Sequence, residues 1–183
     1  RIDAAKKELE TFKANYADTK DAKKWANNIS YDLEHLAPGD SIPSFSFSTV
    51  DGAKLNRNTL EGNPYILEIS PLANEMYKDQ YSRSQVINNL FQPRGLRIVT
   101  VPLDTSQVTV DSFFEARGGV PWKVATVSSI DRDQIISKFN IQQMPTRFLV
   151  DSEGNIVKKL VGNEYQDVVP YIQQTLTPKK ENS

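Results

Sequence analysis

Apolar residues recur at helical spacing in two runs, Ile2, Ala5, Leu9, Phe12 and Tyr16, then Ala22, Trp25, Ala26, Ile29, Leu33 and Leu36. Asp18 or Thr19 between the runs can cap the second helix, and Pro38-Gly39 ends it. Residues 1–37 therefore read as a helical hairpin. From Ser44 the period changes to two: Phe45 and Phe47 alternate with serines, and Asp51-Gly52 supplies a turn before Lys54-Leu55, which predicts a β-hairpin. Asn58 can cap a helical turn at Thr59-Leu60-Glu61.

The remainder alternates buried strands with helices. Tyr65 to Ile69 reads as a strand, followed by a helix from Leu72 or Asn74 to Phe91 with Met76, Tyr77, Ile87, Leu90 and Phe91 toward the core. Leu96 to Leu103 is the next strand. Asp111 can cap a helix over Ser112 to Arg117 that ends at Gly118-Gly119, and Lys123 to Val127 is a short extended stretch. Asp131 to Phe139 is helical, Thr146 to Val150 is a strand, and Asp151 to Asn155 turn the chain into a strand that begins at Ile156. Asp167 caps a last helix through Leu176, in whose first turn Pro170 is tolerated. The order β-β-α-β-α-β-α-β-β-α behind a helical hairpin argues for a sheet with helices on both faces.

Composition narrows the chemistry. The chain has 183 residues, 22 basic against 23 acidic, a net charge of −1, one histidine and no cysteine. No basic stripe interleaved with aromatics is present, which speaks against nucleic acid, and no apolar run approaches the ~20 residues of a membrane span. Without cysteine there is no disulfide, thiolate or thiolate-bound metal. A lone His35 near a helix end is weighed as a surface residue rather than a catalytic one, and neither a metal site nor a cofactor is expected. The start at Arg1, without an initiator methionine or a signal pattern, reads as a processed or trimmed product.

Several stretches carry a resemblance. Met144-Pro145-Thr146 ahead of its strand resembles the X-Pro-Thr loop, with its cis proline, of thioredoxin-like proteins. Tyr65 to Lys78, Y-I-L-E-I-S-P-L-A-N-E-M-Y-K, is similar to their strand-plus-C-x-x-C segment, with Glu68 at the place of a buried acid and Asn74 and Tyr77 at the two cysteine places. Pro38 to Phe45, P-G-D-S-I-P-S-F, resembles the opening of the TlpA-like branch of thiol-disulfide oxidoreductases, relatives of the AhpC/TSA peroxiredoxins. Asp51-Gly52, Val99 to Asp104 and Gly119-Val120-Pro121-Trp122 resemble further segments of that branch.

The resemblance implies an α/β thioredoxin-like three-layer sandwich, a central mixed sheet with helices on both faces, over residues 38–178, with a tail at 179–183. It also implies a location in the bacterial cell envelope or periplasm. Thiol exchange needs an attacking thiolate and a resolving thiol, and Asn74 and Tyr77 supply neither, so no catalytic residue is assigned. The first expectation is a redox-inactive module that binds a protein or extended peptide at a groove of Asn74, Glu75, Met76, Tyr77, Met144, Pro145 and Thr146. Pro71, Leu72 and Trp122 are further candidates for its apolar rim. Glu68 is the buried-acid candidate, weighed as a solvated or hydrogen-bonded strand residue ahead of a catalytic acid. The alternatives are a thiol-independent enzyme built on Glu68, Asn74, Glu75 and Asp104, and a purely structural domain of a larger TlpA-like protein.

Overall fold

Five strands form one sheet in the order β5-β4-β3-β6-β7, from β3 (Tyr65–Ser70), β4 (Arg97–Pro102), β5 (Lys123–Val124), β6 (Thr146–Val150) and β7 (Ile156–Val161). The computed structural model describes residues 1–16 and 18–177, so the tail expected at 179–183 lies outside the described residues. Strands β3, β4 and β5 run parallel, and β6 and β7 are antiparallel to their neighbours. Both β3 and β6 are buried at every position, which is what a central strand covered on two faces requires.

Helices α4 (Glu75–Phe91), α5 (Gln107–Glu115) and α7 (Val168–Leu176) cover one face, packing Ile87, Phe91, Phe114 and Ile172 against the sheet. On the other face lie α6 (Arg132–Lys138), the hairpin of β1 (Ser46–Ser48) and β2 (Lys54–Asn56), and α2 (Lys20–His35). This is a thioredoxin-like three-layer sandwich, with α1 (Ile2–Tyr16) and α2 as an N-terminal helical pair. Thr19 caps α2, accepting from the Ala22 amide at 3.1 Å. The pair is docked through α2: Ala26 and Leu36 are buried, Lys159 Nζ donates to Asp32 at 2.8 Å, and Asn140 Nδ2 donates to the Asn28 carbonyl at 2.9 Å. No helix among the described residues is long and apolar enough to cross a membrane.

Four local expectations are corrected. Asn56, not Asn58, caps α3 (Arg57–Leu60): its Oδ1 accepts from the Thr59 amide at 3.0 Å, and Thr59 Oγ1 accepts from the Asn56 amide at 2.9 Å. This reciprocal box needs partners three apart, which Asn56 and Thr59 are. Helix α5 begins at Gln107 rather than after Asp111, whose carboxylate instead accepts from Gln107 Nε2 one turn back. Leu90 is 61% exposed, because Tyr81, Ser84, Ile87 and Phe91 take the core phase of α4. The extended stretch expected over Lys123 to Val127 pairs for two residues only, Lys123 and Val124, while the helix expected over Asp131 to Phe139 is present as α6.

Candidate functional site

The loop after β3 leads into α4, whose N-cap is Asn74. Its Oδ1 accepts from the Tyr77 amide at 3.0 Å, and its Nδ2 reaches across to the Met144 carbonyl at 3.4 Å. The two stretches singled out in the sequence are thus neighbours in space. The Met144–Pro145 bond is cis. Behind it the Gly162 amide donates to the Pro145 carbonyl at 2.9 Å. Gly162, just past β7, has φ +58°, a left-handed backbone conformation that favours glycine, and a Cβ there would lie 2.8 Å from the movable end of the Gln143 side chain and 3.5 Å from Met76 Sδ.

Four of the expected groove residues stay accessible: Glu75 is exposed, and Asn74, Met76 and Met144 are half-buried. Pro145 and Thr146 are buried, and Thr146 Oγ1 donates to the Gln143 carbonyl at 2.6 Å. Glu75 is occupied on the surface by Lys78 at 2.7 Å. Among the described residues the Met144 amide donates to no acceptor. Tyr77 departs from the expectation of a rim residue, being fully buried. Its ring packs 5.9 Å from that of Phe113 and its hydroxyl donates to Glu68 Oε2 at 3.1 Å, so the helix phase that places Asn74 at the cap turns Tyr77 inward.

Glu68 is fully buried and hydrogen-bonded, not solvated. Its Oε1 accepts from Arg147 Nε and from Ser84 Oγ, each at 2.8 Å, and its Oε2 accepts from Thr100 Oγ1 at 3.0 Å besides Tyr77. Arg147 stands directly opposite Glu68 in the β3–β6 register. Arg147 Nη1 donates to Gln80 Oε1 at 2.7 Å, and its guanidinium carbon lies 3.8 Å from the centre of the Tyr165 ring, whose hydroxyl meets Ser84 Oγ at 2.9 Å. Burial, reinforced by the Glu68 charge, pushes the phenols of Tyr77 and Tyr165 above the usual tyrosine range. Asp104 is buried and accepts from the Leu72 amide at 2.8 Å, which pins the β3–α4 loop. Glu68 is thus held by four donors, and Asp104 by the Leu72 amide.

Arg147, Ser84, Thr100, Gln80 and Tyr165 were not singled out from the sequence. A signal existed for the first. Arg147 sits inside the apolar run T-R-F-L-V, as Glu68 sits inside Y-I-L-E-I-S, and one charge in each of two buried strands requires a partner. Trp122 is half-buried, its Nε1 donating to Thr100 Oγ1 at 2.8 Å, so it lies beyond the network rather than on the Met144 loop.

A thioredoxin-like sandwich with a proline loop opposite a helix N-terminus defines the class of protein. The sequence model described as the AhpC/TSA family matches residues 38–159. The chain belongs to the AhpC/TSA family. It is 22% identical over 159 residues to the thiol-disulfide oxidoreductase ResA of Bacillus cereus, covering 80% of this chain and 83% of the relative. To ResA of Bacillus subtilis it is 24% identical over 152 residues, with 83% of each covered. A thiol:disulfide interchange protein from Chlorobium tepidum superposes with a TM-score of 0.64 at 22% identity, over 77% of this chain and 99% of that one. One from a Bacteroides species does so with 0.66 at 20%, over 79% and 93%. This chain is a member of the AhpC/TSA family without a cysteine.

Proposed function

We propose that this protein is a redox-inactive binding module of the bacterial cell envelope that receives an extended polypeptide along its Gln142-to-Met144 edge. The unengaged Met144 amide, next to the exposed Gln142 and Gln143, is the observation that carries the reading. Strand addition uses main-chain donors and acceptors and needs no thiol. The Met144 carbonyl, with one contact to Asn74 at 3.4 Å, keeps a second lone pair for a partner. Redox inactivity follows from the chemistry of the two cysteine places: an amide is no nucleophile for a disulfide, and the Tyr77 phenol is protonated and enclosed. The envelope location rests on the resemblance to TlpA-like domains, which usually act outside the cytoplasm.

A second reading, a purely structural domain, draws on the Asn74–Met144 hydrogen bond, which spans the two walls of the groove. Immobilised arrays of extended peptides separate the two. Peptides retained by the native protein and by Met144→Leu, and released by Met144→Asp, are expected of the binding module. Equal retention by all three would move the binding surface elsewhere, and retention by none would leave the structural reading. Turnover of a disulfide substrate that co-purifies with the protein would overturn redox inactivity.

A further inference from the structure

At the opposite end of the sheet, strand β5 is too short for its neighbour. It pairs with Val99 and Thr100 only, while β4 begins at Arg97. Amides at Arg97 and Leu103 donate to the β3 side, and the Thr100 carbonyl accepts from Ala125 on the β5 side. Alternation along the strand therefore turns the Ile98 amide toward β5, below the point where β5 starts. The β5 ladder begins opposite Val99, and outside the ladders no acceptor meets this amide among the described residues, although Ile98 is only 2% exposed.

A pocket of about 540 Å³ opens over this bare edge, a volume suited to a small ligand. Val50, Val120, Pro121, Trp122 and Val124 form its apolar wall, and Val50 and Val120 are 62% and 51% exposed. The hydrogen bond from Trp122 to Thr100 satisfies the indole nitrogen inside, so the ring itself is the surface held in the wall. Three charges line the pocket. Asp51 is taken by Lys123 at 2.5 Å. The Arg97 guanidinium donates one hydrogen bond, to the Leu96 carbonyl at 3.5 Å, and no carboxylate pairs with it among the described residues.

We propose that this pocket binds a small monocarboxylate with an apolar body, its carboxylate on Arg97 and the Ile98 amide and its body against Trp122 and the valines. A guanidinium and a backbone amide at one end of an apolar slot match a carboxylate with an apolar tail. An alkylammonium of the same length would meet a cation instead, and an alcohol would forgo the charge. The site stands apart from the Met144 edge, which adjoins the Ser70 end of β3, whereas Arg97 pairs with Tyr65 at the other end.

Octanoate is the probe, with octanol and octylamine as matched controls, read by Trp122 fluorescence in a Trp25→Phe background and by calorimetry on the native chain. Saturable octanoate binding is expected, weakened about tenfold in Arg97→Gln by loss of a charge-assisted hydrogen bond. Val120→Asp, on the exposed wall, should weaken it by repulsion. Unchanged thermal midpoints in both variants show that the fold is kept, and a Glu8→Gln variant on the exposed face of α1, outside the pocket, should bind as the native chain does. Octanol or octylamine binding as tightly as octanoate, Arg97→Gln binding as tightly as the native chain, or no saturable response would each overturn the proposal. Capture of a peptide C-terminus in place of octanoate would overturn it in favour of a polypeptide occupant.

Discussion

Glu68 and Arg147 bring two opposite charges into the centre of a sheet, where an ion is costly unless paired and hydrogen-bonded. Four donors on Glu68 meet that condition. Arg147 meets it less completely, since its Nη2 is buried without a partner while its plane lies on Tyr165. Removing one member leaves the other charge enclosed. Glu68→Leu is expected to lower stability by about 3–5 kcal/mol, and the double variant Glu68→Leu, Arg147→Met to regain most of it. Urea unfolding of the three proteins measures the difference, and a double variant as weak as the single one would assign the effect to packing instead of charge. Tyr77, at the position the resemblance assigns to the second cysteine, is a buried ring whose hydroxyl donates to Glu68.

Among the elements, the short helix α3 shows how a cap is decided by a pair of residues rather than one. Asn56→Ala removes the acceptor for the Thr59 amide and should cost about 1 kcal/mol, while Asn58→Ala, exposed inside the helix, should change stability by less than about 0.5 kcal/mol. Denaturant midpoints of the two variants test this, and equal losses would contradict the capping box. Helix α4 does more for the candidate site. Its cap residue binds Met144, its next turn supplies Tyr77, and Gln80 and Ser84 one and two turns further complete the partners of Arg147 and Glu68. One helix thus ties the surface loop to the buried network, and a change in its phase would disturb both.

For the whole molecule, buried phenols on both faces of the sheet set an alkaline limit. Burial raises Tyr65 and Tyr81, and burial together with the Glu68 charge raises Tyr77 and Tyr165. The native state keeps these protons after an unfolded chain would release them, so their stabilising effect is complete below pH ~10 and is lost as pH rises above it. Unfolding midpoints should fall above pH ~10, and less steeply in Tyr77→Phe; an identical slope in that variant would remove Tyr77 from the account. The sequence alone determined the α/β layering, the strands β3 and β6, a cap at Asp18 or Thr19 ahead of α2 and the absence of any thiol. Those follow from periodicity, short-range capping geometry and the absence of cysteine, all of which are local or compositional. Tertiary structure decided that Glu68 answers Arg147 from 79 positions away, that Tyr77 turns inward while Met144 stays at the edge, and that β5 stops short beside Arg97. These depend on strand register and on which residues other elements cover, and no spacing along a single segment encodes either.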